Sequence, residues 1–172
     1  MLIRYMTPMA FSARWDKTLR ISTLLIGALI LSLMVFLPSA TWWQWAIKLG
    51  VPLLIVGAAA WAPRSFRIES DALIVSRFIG SVRIPLAGLR KARLMDPAEL
   101  RGAVRIWAVG GFCGYYGKFL SGFESQTWYV TDRQSCVRLD CDAGIVVISP
   151  SDPEACLAAL ARLRAGSDKI TA

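Results

Sequence analysis

Ile21-Ser22-Thr23-Leu24-Leu25-Ile26-Gly27-Ala28-Leu29-Ile30-Leu31-Ser32-Leu33-Met34-Val35-Phe36-Leu37 carries no charge and leaves no helical face without large apolar groups. A helix on the surface of a soluble domain keeps one polar face. After the turn-like Pro38-Ser39-Ala40-Thr41-Trp42, a second apolar stretch runs from Trp43 to Trp61. A bilayer core of about 30 Å takes roughly 20 helical residues at about 1.5 Å rise, which each stretch approaches. The pair reads as a transmembrane hairpin over 21–62, with spans at about 21–37 and 43–61. Trp42, Trp43 and Trp45 at one end and Trp61 at the other fall where interfacial aromatic anchors belong. Lys48 lies only about 7–8 Å in from Trp43, within reach of a snorkelling side chain, and marks the outer rim. The competing reading is two buried core helices of a soluble protein.

Basic residues set the orientation, because Lys and Arg are retained on the cytoplasmic side. Arg4, Arg14, Lys17 and Arg20 precede the first span, Arg64 and Arg67 follow the second, and the connecting turn has none. Both termini are expected in the cytoplasm. A signal peptide cut near Pro38-Ser39-Ala40 is the rival reading, but the runway before the apolar run is long and a second span follows at once. Residues 1–20 form a cytoplasmic segment, in which Phe11 and Trp15, four apart, suit either a short interfacial helix or a frayed terminus.

Among 172 residues the formal net charge is +8, yet the basic residues beyond the hairpin are interleaved with Asp and Glu and make no dense run. Nucleic acid is therefore not the expected partner, and mild positive charge suits a domain beside anionic headgroups. The four cysteines, Cys113, Cys136, Cys141 and Cys156, lack Cys-x-x-Cys spacing, and there is no histidine. No metal site, cofactor or disulfide framework is expected, and the cysteines read as small buried hydrophobes.

Beyond Pro63 the period changes. Ser65–Glu69, Ala72–Arg77, Val82–Ile84 and Arg90–Met95 read as four strands, and Thr127–Thr131, Cys136–Asp140 and Ile145–Ile148 as three short antiparallel ones. Ser151, with Pro153 and Glu154 behind it, reads as the N-cap of a final amphipathic helix whose stripe is Cys156, Leu157, Leu160 and Leu163, with Arg162 and Arg164 near its end. One domain is expected over 65–166, followed by a tail at 167–172. Between the strand groups, Gly111, Gly114 and Gly117 recur every third residue amid aromatics in a stretch read as a long loop, 105–119. It matches neither phosphate-binding glycine motif. Two readings stand. Its aromatics pack on the domain or rest at the membrane surface, or Arg105, Trp107, Gly111, Gly114, Tyr115, Tyr116, Gly117 and Lys118 form a binding surface with Arg105 and Lys118 as its positive groups.

Four strands, an excursion, three strands and a terminal helix resemble the pleckstrin-homology-type barrel, a bent antiparallel sheet plugged by its last helix. With Phe11-Ser12-Ala13-Arg14-Trp15-Asp16 before the spans, Val82-Arg83-Ile84-Pro85-Leu86, the run from Arg105 to Gly117, and Ile148-Ser149-Pro150-Ser151-Asp152-Pro153-Glu154, the chain resembles the bacterial PH-domain membrane proteins, whose two N-terminal spans precede such a domain. The resemblance implies a multi-pass protein of the bacterial inner membrane with no catalytic residues to carry over, and it does not imply phosphoinositide binding. The expected function is a non-enzymatic, membrane-anchored scaffold or sensor presenting a surface to lipid or to a protein partner on the cytoplasmic face. Two alternatives stand beside it. One is an accessory subunit acting through the hairpin, by way of Gly27, Ser32 and Gly57-Ala58-Ala59-Ala60; the other is a membrane enzyme using Cys113 as nucleophile.

Overall fold

The computed structural model describes residues 9–36, 38–69, 71–86 and 88–168, with side chains as far as Leu163. The expected tail from 169 on, Arg4, Leu37 and the Arg164 side chain lie outside the described residues. The apolar stretches form α1 (Lys17–Phe36) and α2 (Trp42–Ala60). Both are long and apolar enough to cross a bilayer, and they stand almost wholly clear of the rest of the molecule. α1 starts a turn before the apolar run because Asp16 caps it: the carboxylate accepts from the Leu19 N–H, and the Arg20 N–H bonds the Asp16 carbonyl. The start of α2 is fastened by Gln44, whose side-chain oxygen accepts from the N–H groups of Ala40 and Thr41.

The segment before the hairpin is not an interfacial helix. Met9–Ser12 is a strand, β1, paired antiparallel with β2 (Pro63–Ile68), so that Phe11 lies opposite Phe66. The reason is hydrophobic: Phe11 is buried in the main core rather than laid on a membrane. Chain entry and exit of the hairpin thus lie side by side, and Ala13 N–H donates to the Arg64 carbonyl at 2.8 Å. β3 (Ala72–Arg77) and β4 (Ser81–Pro85) complete a four-stranded antiparallel sheet in the order β1-β2-β3-β4.

A second sheet has six strands. β5 (Lys91–Met95), β6 (Val104–Gly110), β7 (Tyr115–Ser121), β8 (Glu124–Val130), β9 (Cys136–Cys141) and β10 (Gly144–Ile148) are ordered β5-β9-β10-β8-β7-β6. Among the described residues the total is ten strands in two sheets instead of about seven in one barrel. β8 and β10 run parallel, not antiparallel: β9 lies between β5 and β10, antiparallel to both, and leaves β10's other edge to β8. The inner faces of both sheets share one core, closed by Cys156, Ala159 and Leu160 of α3 (Pro153–Asp168). Of the expected stripe on α3, Cys156 and Leu160 are buried, Leu157 and Leu163 are half-buried against the same core, and Ala159 joins them. Its cap, however, is Asp152 and not Ser151: the Asp152 side chain accepts from Ala155 N–H at 2.9 Å.

The outer face of the six-stranded sheet carries a smaller core. Phe119 stacks on Trp128 at 4.2 Å between ring centroids, and Leu100 packs over the same cluster. The turn bearing Leu100 is held by Arg93, which grips both carboxylate oxygens of Glu99 at 2.7 and 2.6 Å. That hydrogen-bonded pairing holds the Glu99 carboxyl down to about 2, from an ordinary 4.5. A depressed folded-state value stabilises above the unfolded value, and the gain is lost as pH falls through the folded one. With about a third of each side chain exposed, screening leaves about 1 kcal/mol. Glu99→Gln is therefore expected to lower stability by about 1 kcal/mol near neutral pH, with the gap from wild type closing between 4.5 and about 2. Chemical denaturation across that window measures it; a gap that does not change with pH contradicts the assignment.

Candidate functional site

The stretch read as a loop, 105–119, is a β-hairpin, β6 and β7 joined through Gly111–Gly114. Its glycines serve different geometric needs. Gly111 has φ +92° in the turn, with open space about it. Gly117 lies mid-strand at φ +119°, where a Cβ would come within 2.4 Å of the Trp107 carbonyl oxygen and 2.7 Å of Ala108 Cα. The turn is bound to the base of α1: Ser22 donates to the Gly111 carbonyl at 2.7 Å, and the Cys113 N–H donates to the Thr23 hydroxyl at 3.2 Å. Tyr116 is buried and its hydroxyl donates to the Ala58 carbonyl of α2. The β6–β7 hairpin is the clamp that joins the two sheets' domain to both helices.

The eight residues singled out in this stretch do not make one surface. Gly111, Gly114, Tyr116 and Gly117 belong to the clamp. Tyr115 is half-buried, with Arg133 over its ring at 5.2 Å. Arg105, Trp107 and Lys118 are exposed, with Trp107 directly opposite Lys118. Trp42, Trp43 and Trp45 are exposed on the first turn of α2, where Lys48 reaches back to donate to Ser39 in the connection at 2.6 Å. Trp61 is exposed at the opposite end. All four cysteines are free and buried; burial pushes the Cys136 and Cys156 thiols up to about 12 and raises those of Cys113 and Cys141. A protonated, buried Cys113 is a poor nucleophile.

The junction is polar and internally satisfied. Asp16 N–H donates to the Thr131 carbonyl at 3.1 Å, the Thr131 hydroxyl to the Arg14 carbonyl at 2.8 Å, and the Ser149 hydroxyl accepts from Thr131 N–H at 2.8 Å. On the other side of α2, Ile79 N–H caps the Ala60 carbonyl at 3.2 Å, leaving Phe78 and Ile79 exposed next to the helix end. Together with Trp61, Ile106 and Trp107 they give this end of the domain an apolar rim.

Between that rim and α2 opens a groove of about 770 Å³, walled by Leu53, Leu54 and Gly57 on one side and by Ile106 and Trp107 on the other. Arg77, at the end of β3, is its one charged lining residue. The guanidinium lies over the rings of Trp61 and Tyr129, at 5.2 and 5.3 Å. Its buried Nε has no hydrogen-bond partner. In sequence Arg77 is only the last residue of a strand; the one local signal is the apolar Phe78-Ile79 that follows it, out of place in a solvent-facing turn.

Residues 64–164 match the family model of the bacterial PH domain. The chain belongs to this family. No curated protein and no solved structure matches it. The match to the bacterial PH domain opens within β2 and closes in α3, so β1, which the fold requires, lies outside it. The match covers most of both sheets and the start of the closing helix. The helical hairpin between β1 and β2 precedes the matched region.

Proposed function

We propose that this protein is a membrane-anchored, non-enzymatic binding module, whose PH-like domain is held against the cytoplasmic face of the bacterial inner membrane and presents a lipid- or protein-binding surface there. The observation that carries it is the insertion of the hairpin between two paired strands. A soluble core helix is buried by its own domain, whereas α1 and α2 leave large apolar side chains such as Leu24, Phe36, Leu53 and Leu54 exposed all round. An anchor on a flexible linker would allow the domain to leave the surface. Here Phe11 opposite Phe66, the Asp16 N–H bond to the Thr131 carbonyl and the Tyr116 bond to Ala58 fix the domain to both helix ends. The pairing also requires that both ends of the hairpin lie on the same side, which agrees with the distribution of Arg and Lys. Cleavage after α1 would remove β1 from the core, which argues against the signal-peptide reading.

Cysteine labelling tests the topology on a quiet background, since the native thiols are buried and protonated. Ala40→Cys, in the exposed connection, is expected to react with a membrane-impermeant maleimide in intact cells. Ser125→Cys, exposed on β8, is expected to react only after permeabilisation. The reverse pattern would invert the orientation. Equal labelling of both in a fraction released by carbonate would remove the membrane reading altogether.

A further inference from the structure

We infer that the groove between α2 and the β6–β7 hairpin holds one anionic lipid of the surrounding bilayer, its headgroup against Arg77 and an acyl chain along Leu53, Leu54 and Ile106. The inference rests on the membrane reading above and deepens it by naming the ligand. Among the described residues no acidic side chain lines the groove, and the buried Nε of Arg77 has no hydrogen-bond partner there. A cation beside hydrocarbon with no counter-ion is costly, and aromatic faces offset only part of that cost. The missing group is an anion that can enter from the side of the membrane.

The shape of the groove selects among anions. Its volume falls within the roughly 300–1,000 Å³ of single-ligand pockets. From Trp61 to Leu53 it follows about 12 Å of helix into the span. A free phosphate would satisfy Arg77 and leave that apolar wall wet. An acidic side chain of a protein partner would have to reach past the lipid-facing side of α2. An anionic phospholipid meets both needs at once, and its headgroup lies where Trp61 marks the interface. Gly57 opens the groove at mid-wall: nothing lies within 4 Å of the position its Cβ would take.

The test uses the full chain reconstituted in vesicles of phosphatidylcholine with a minority of phosphatidylglycerol, washed with carbonate, released in mild detergent and weighed by native mass spectrometry. Wild type is expected to retain one phosphatidylglycerol, with a preference over phosphatidylcholine of about tenfold or more relative to their abundance. Arg77→Gln is expected to abolish the preference and Arg77→Lys to keep part of it. Gly57→Leu, which fills the groove and leaves the charge in place, is expected to lose the bound lipid while the protein melts as wild type does. It keeps the proposal testable should Arg77→Gln fail to fold. Retention of both lipids in proportion to abundance, an unchanged adduct in Gly57→Leu, or displacement of the adduct by inorganic phosphate would each overturn it. Protein that resists carbonate without a selective adduct refutes the lipid site alone; protein released by carbonate refutes the membrane reading with it.

Discussion

Gly117→Ala is expected to cost the domain about 3–5 kcal/mol, more than any other glycine substitution in the β6–β7 hairpin. Two independent penalties add. At φ +119° an L side chain is strained whatever the space around it. The space is also absent, because the added carbon meets backbone: the Trp107 carbonyl oxygen at 2.4 Å and Ala108 Cα at 2.7 Å. A flexible side chain could give way, but a paired strand can yield only by breaking its ladder. Gly111→Ala provides the contrast. It too has positive φ, at +92°, but open space, so strain of about 1–2 kcal/mol is all that is expected. Since Gly117 lies between Tyr116 and the Phe119–Trp128 stack, its loss should also release the Tyr116 bond to α2. Equilibrium unfolding of the two variants in the same detergent measures the difference; equal midpoints would mean that the β6 backbone does not press on Gly117 as described.

That contrast shows why the glycine-aromatic stretch resembles a loop in sequence while it folds as a β-hairpin. A glycine permitting a turn and a glycine permitting close backbone approach carry the same letter, and only the pairing of Ala108 with Gly117 separates them. The apolar helices were legible because length and hydropathy are local properties, readable without knowing what lies nearby. The alternating runs that became β2, β3, β9 and β10 were legible for the same reason. The parallel pairing of β8 with β10 was not, since it depends on which edge β9 leaves free. Neither was the role of Arg77. Its chemistry comes from Trp61 on one element and Tyr129 on another, brought to either side of it by the fold. Trp61, just past the end of α2, is visible in the sequence, whereas Tyr129 on β8 is not placed near Arg77 by any local pattern.

Phe11→Ala is expected to destabilise the domain by about 3 kcal/mol, although Phe11 stands before the hairpin and outside residues 64–164 that match the bacterial PH domain. The side chain is 8 % exposed and sits opposite Phe66, which is fully buried, so truncation leaves a cavity in the main core. It lies on an edge strand, where partial collapse of β1 onto β2 keeps the cost toward the lower end of the range for buried Phe. Met9→Ala, on the same strand with its side chain 42 % exposed, should change stability by less than about 0.5 kcal/mol. If the N-terminal segment were instead an interfacial helix or a frayed end, both substitutions would be silent in unfolding and Phe11→Ala would weaken membrane association alone. The consequence reaches the function. Because Ser12 also accepts a hydrogen bond from Ser151 N–H at 2.9 Å, and Ala13 bridges Pro150 just ahead of α3, a loosened β1 frees the start of the closing helix together with the base of α1. Domain and anchor are thus expected to fail in a single unfolding transition; two separate transitions in Phe11→Ala would show that the hairpin and the PH domain are mechanically independent.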